Sequence, residues 1–115
     1  MTTNIISSIE IEALSKLYTI EKPDEVLAFL KENAFLVPTL LEAPAQIHTY
    51  FPGSELFLIV FYVPESPENT HVTVWIGSKL EPAAALDKLD ELDKVWSLNL
   101  PAQVMKKLST NLVSL

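Results

Sequence analysis

At 115 residues and 12.8 kDa the chain has room for one domain, and 49% hydrophobic against 20% charged residues excludes a disordered chain. Cysteine is absent, which removes disulfides, thiolate metal sites and a cysteine nucleophile, and 8 basic against 15 acidic residues leave a net charge of −7, a poor match to nucleic acid. No apolar run reaches the ~20 residues of a membrane-spanning helix, and Met1–Ile11 carries no basic-then-apolar export signal, so a cytoplasmic protein with no nucleic-acid or membrane partner is expected.

Ser7 and Glu10 have the spacing of a capping box, and Ile11, Leu14, Leu17 and Tyr18 recur behind them at helical spacing, predicting a first helix near 8–18. Glu12 and Lys16 are an i,i+4 pair on its outer face. Pro23 suits the first position of a second helix, with Asp24 and Glu25 at its positive end and an apolar stripe of Val26, Leu27, Phe29 and Leu30 ending near Asn33. From Ala34 to Phe51, Val37, Leu40, Leu41, Ile47 and Phe51 fit one helical face that Pro38 and Pro44 interrupt. An interior Pro44 removes one hydrogen bond and clashes with the Leu40 carbonyl, at about 3 kcal/mol or a kink, so one kinked helix is predicted.

Glu55–Val63 is a short, nearly unbroken apolar run and reads as a strand. A polar, acidic loop over 64–70 leads to His71–Ile76, whose alternation predicts a second strand antiparallel to the first. Glu81 and Pro82 open a fourth helix with Leu86, Leu89, Leu92 and Trp96 inward, and Lys107–Leu115 favours a third strand over a helix. The chain therefore reads as a single α+β domain, with a helical half over about 5–52 and a hairpin–helix–strand half over about 54–115. A helix between the second and third strands lets the third run parallel to the second. Pairing on the far side of the first would give a three-stranded mixed sheet of order 2-1-3, with the most apolar strand central.

From Tyr18 onward a set of residues carries a resemblance: Glu25-Val26, Phe29-Leu30, Asn33, Phe35-Leu36, Pro38, Leu40-Leu41-Glu42-Ala43, Ile47, Tyr50-Phe51-Pro52 and Leu56. Pro64-Glu65 follows the first strand, and Glu81, Ala84-Ala85-Leu86 and Leu89 open the last helix. The pattern resembles a family of small uncharacterised proteins found chiefly in cyanobacteria, and the resemblance implies a fold and an origin but no catalytic residue. The chain departs from it at Val63, where an acidic residue is expected, and at Trp96, where paired tryptophans are expected.

Few residues suggest chemistry. Asp87, Asp90 and Glu91 stand at i, i+3 and i+4, a spacing that can offer oxygen ligands to Mg²⁺ or Ca²⁺, but opposite the leucine stripe they also read as a solvated face, with Asp90 and Lys94 as an ordinary pair. His48 and His71 lie 23 residues apart on different elements, without a metal-binding pattern around either; His48 reads as partly buried with one hydrogen bond, His71 as a surface residue. Gly53-Ser54 and Gly77-Ser78 lack the flanking glycine of a nucleophile elbow, and 2 Gly cannot build a phosphate cradle, so neither a catalytic residue, a metal nor a cofactor is expected.

The strands are more informative. On the first, Leu56, Leu58, Val60 and Tyr62 face one side, and Phe57, Ile59, Phe61 and Val63 the other; on the second, Val72, Val74 and Ile76 oppose His71, Thr73 and Trp75. Both sides of the first strand are apolar, whereas a sheet with helices on one face ordinarily turns a polar face to water. Burying four large side chains is worth ~6–12 kcal/mol before entropy. Either the N-terminal helices wrap the second face, or another molecule covers it, most simply a second copy in a two-fold dimer. The expected function is a non-enzymatic protein-interaction module, homodimeric or bound to another protein, with Phe57, Phe61, Tyr62 and Trp75 at the contact. The alternatives are a small metal-dependent or hydrolytic enzyme using the helix carboxylates, and an acidic neutralising partner of a basic, toxin-like protein.

Overall fold

A computed structural model describes residues 7–114. The first helix, α1 (Ser8–Leu17), begins with the anticipated capping box: Ser7 Oγ accepts from the Glu10 N–H, and the Glu10 carboxylate accepts from the Ser7 N–H, each at 3.1 Å. Lys16 and Glu12 pair at 3.3 Å on its exposed side. A two-residue strand, β1 (Thr19–Ile20), follows, and then α2 (Pro23–Glu32).

The residue that starts α2 is locally out of place. Lys22 is its N-cap with φ 49° and ψ 66°, the one non-glycine residue with positive φ among those described, and its side chain makes no capping bond. Positive φ suits Gly or Asn, and a non-glycine residue held there costs ~1–2 kcal/mol. Pro23 pushes the residue before it toward extended backbone, and a cation at a helix N-terminus opposes the macrodipole. Nothing local rewards a lysine here.

A 3₁₀ turn (Ala34–Leu36) leads into α3 (Val37–Tyr50), which runs through Pro44 without ending. Proline cannot donate to the carbonyl four residues back, which leaves Leu40 C=O without its helical partner. The Tyr18 hydroxyl, from the end of α1, donates to that carbonyl at 2.6 Å. Burial pushes the Tyr18 phenol well above its ordinary value, so it stays protonated as a donor. One hydrogen bond lost within α3 is replaced by one from α1.

The second half contains β2 (Leu56–Phe61), β3 (His71–Ser78), α4 (Pro82–Val95), a short α5 (Ala102–Met105) and β4 (Leu108–Ser114); Leu115, the expected end of the last strand, lies outside the described residues. The sheet is mixed and four-stranded, in the order β1-β2-β3-β4. β2 and β3 are antiparallel, and β4 runs parallel to β3, as expected for a strand reached through a helix. The expected order 2-1-3 is corrected: β4 pairs with β3 itself rather than crossing beyond β2. The outer edge of β2 is already taken by β1, parallel to it, and the Glu21 N–H extends that pairing to the Leu58 carbonyl at 2.9 Å. The crossover through α4 therefore returns beside its own starting strand, the commonest arrangement for sequential elements.

Leu56, Leu58 and Val60 of β2 and Val72, Val74 and Ile76 of β3 join Leu14, Leu30, Leu40, Ile47 and Leu92 of the helices in one buried cluster. On α4 the inward stripe begins at Ala85 rather than at Leu86, which is 57% exposed; Leu92 and Trp96 are buried as anticipated. Ala85, not Leu86, faces the buried cluster. No helix among the described residues is long and apolar enough to cross a membrane.

Candidate functional site

The alternation of β2 and β3 commits one set of side chains to the helices and leaves the other set on the opposite face. Register fixes which residues meet there. Thr19, Phe57, Trp75 and Asn111 form one row across the four strands, with Phe57 directly opposite Trp75. Ile59, Thr73 and Ser109 form the next row, closed by a 2.9 Å hydrogen bond between the Thr73 and Ser109 hydroxyls. Phe61 then stands opposite His71, their rings stacked with centroids 5.4 Å apart. His71 Nδ1 lies 2.9 Å from the Asn69 carbonyl, which can only accept, so Nδ1 carries the proton of that bond.

Phe57, Ile59 and Trp75 are half-buried and Phe61 is 58% exposed, whereas their neighbours Leu58 and Val74 are fully buried. None of the described helices covers this face. Glu21, Phe57, Ile59, Trp75 and Val113 line a hollow of about 390 Å³ in it. The apolar centre is edged by Thr19, Glu21, Asn111 and Ser109, and Glu21 is the acidic residue that reaches the hollow. Phe57, Phe61 and Trp75 thus share one surface. Tyr62 does not join them: it lies past the end of β2, 51% exposed, beside Phe29 and Lys107 on a different hollow.

Val113 and Glu21 were not singled out from the sequence. Val113 follows from extending the alternation of β4 through Ser109 and Asn111. Glu21 had no signal, because a two-residue strand has no periodicity to read.

The residues considered for catalysis are scattered. Asp87, Asp90 and Glu91 are all exposed on α4, no Asp90–Lys94 ion pair forms, and among the described residues no three His, Asp or Glu side chains gather as a metal site would need. His48 is exposed rather than partly buried, and His71 is half-buried rather than on the surface. The two Gly-Ser dipeptides do meet at one end of the sheet, around a hollow of about 430 Å³ that Lys79 also lines. Yet His48 Nε2 bonds the Ser54 backbone carbonyl at 3.0 Å, not its hydroxyl, and Ser54 Oγ is buried without a partner. A serine nucleophile needs a base on its oxygen and an open approach, and Ser54 has neither.

In comparisons with known proteins, no family model, no curated protein and no solved structure matches the chain.

Proposed function

We propose that this chain is a non-enzymatic protein-interaction module that associates with a second copy of itself through the open face of its sheet. The observation that carries the reading is the Phe57–Trp75 pair, with Ile59, Phe61 and Val113 around it, on a face that no described helix covers. An apolar centre with aromatic anchors and a polar rim is the ordinary anatomy of a protein contact. The kinship with the small cyanobacterial family remains part of the proposal.

The net charge of −7 does not fall at this place. The acidic cluster Asp87, Asp90, Glu91 lies on α4, in the helical layer, so two copies meeting sheet to sheet keep those carboxylates apart. Size sets the strength. Three strands of six to eight residues and a two-residue edge strand, spaced ~4.8 Å, give a flat footprint of roughly 400 Å². That is about half of the ~800 Å² per partner in a standard interface, so the dimer is reversible rather than obligate.

Light scattering over a concentration series tests this. The mass should climb from 12.8 kDa toward twice that value in the range of about 1–100 μM. Trp75→Asp should hold it at the monomer value with an unchanged circular dichroism spectrum. A wild-type mass that stays monomeric throughout, or a folded Trp75→Asp variant that still dimerises, defeats the reading.

A further inference from the structure

The outer edge of the sheet carries an inference that is independent of the dimer reading. We propose that the free edge of β4 takes an extended segment of another protein as a fifth strand. The side chains that this segment turns toward the helical layer are apolar, except for one lysine or arginine that meets Asp93.

The backbone supports the first part. β4 is the last strand in the order β1-β2-β3-β4, so one edge pairs with β3 and the other with no strand among the described residues. The Val72 N–H donates to the Lys107 carbonyl at 2.9 Å, and Val72 stands in register with Leu108. In a parallel ladder this commits the N–H and C=O groups of 109, 111 and 113 to β3 and turns those of Leu108, Thr110, Leu112 and Ser114 outward. The Leu112 N–H is met by the Asn111 side-chain oxygen at 2.9 Å, and no backbone bond reaches the other outward groups among the described residues. Sheet edges are ordinarily guarded by shortness, charge or proline. The opposite edge is guarded in this way, because β1 has two residues. β4 has seven, Leu108–Ser114, with neither a charge nor a proline among them.

The side chains beside the edge describe the occupant. Two hollows lie along β4, one of about 150 Å³ beside 108–110 and one of about 330 Å³ beside 111–114. Exposed Leu98 and Met105 line the first, and exposed Leu80 and Leu86 the second, so each offers apolar contact to an added strand. At ~3.3 Å per residue the two are about 12 Å apart along β4, close to the separation of side chains at i and i+4 on one face of a strand. The first hollow also holds Asp93, half-buried and without an ion pair among the described residues. A carboxylate closed over by an added strand requires a counter-charge, so the occupant brings a cation to that position. The β4 of a second copy is uncharged throughout and supplies none, which favours a different protein. The net charge of −7 helps to draw a basic segment in.

Two fluorescent peptides test this: Lys-Thr-Val-Thr-Leu-Thr, and the same sequence with glutamate in place of lysine. Polarisation should show the lysine peptide binding with a midpoint below about 100 μM, and the glutamate peptide at least ~10-fold more weakly. Asp93→Lys should reverse that preference. Thr110→Pro removes an outward N–H and none of the ladder to β3, so it should abolish binding of both peptides in a folded protein. Hydrogen exchange on the wild type gives a readout that stands even if the proline variant fails to fold: the lysine peptide should slow the amides of Leu108, Thr110 and Leu112. No binding up to about 1 mM, equal binding of the two peptides, or peptide-induced shifts confined to Phe57 and Trp75 overturns the proposal. So does protection of the outward amides that rises with protein concentration alone, since a second copy then takes the edge. None of these outcomes bears on the sheet-face dimer, which Trp75→Asp tests separately.

Discussion

On β2, Leu58 turns toward the helices and is fully buried, whereas Phe57, one residue earlier, turns to a face that no described helix covers. The two sides of β2 are similarly apolar in sequence but not in surroundings. One is sealed by α1–α4 around a single cluster, and the other keeps Phe57, Ile59, Phe61 and Trp75 at the surface around a hollow. The difference teaches that apolar alternation locates a surface without saying what seals it. Sealing is decided by which way the connections cross.

The sharpest way to break the comparison is to truncate the two neighbours. Leu58→Ala should cost about 2–5 kcal/mol of folding stability, the range for a buried leucine that leaves a cavity. Phe57→Ala, measured in dilute protein, should cost far less, about 1 kcal/mol, while weakening association. Equal losses in chemical denaturation would mean that Phe57 is as sealed as Leu58.

Next in size is the hydroxyl that bridges α1 and α3. Tyr18→Phe should lower stability by about 1–3 kcal/mol, because it strands the buried Leu40 carbonyl. The same residue predicts an alkaline limit. Burial raises the phenol in the folded state, so its stabilising contribution is complete below the unfolded value of about 10 and is lost as pH rises above it. Denaturant midpoints should therefore fall above about pH 10, and Tyr18→Phe should flatten that fall. The smallest effect is expected at Tyr62, which stands off the open face. Tyr62→Ser should leave the dimer unchanged and shift stability by no more than about 0.5 kcal/mol.

Much of this architecture was legible because the signals were local. Ser7 and Glu10 announce the start of α1, Pro23 and Pro82 open α2 and α4, and the period-two alternation of β2 and β3 assigns each side chain to a face. The strand order was not legible. It turned on Thr19 and Ile20, a pair too short to show any period, which occupies the edge of β2 that β4 was expected to fill. Leu86 misled for a related reason: on a helix with leucines at 86, 89 and 92, only the tertiary approach at Ala85 decides which residue begins the buried stripe. At the site, Phe57, Phe61 and Trp75 followed from alternation, whereas Tyr62 was grouped with them although the same alternation turns it to the opposite side, and it lies past the end of β2. Glu21 became visible only when register set it beside Leu58.

The Pro44–Leu40–Tyr18 arrangement also constrains the order in which such a sequence can be reached. A lineage that acquired the proline first would have carried a stranded carbonyl through every generation until an aromatic hydroxyl arrived. With the tyrosine already present the same change costs less, and once both are fixed a return to phenylalanine strands the carbonyl again. Ancestral forms of this chain, if reconstructed, should therefore show the hydroxyl before the ring.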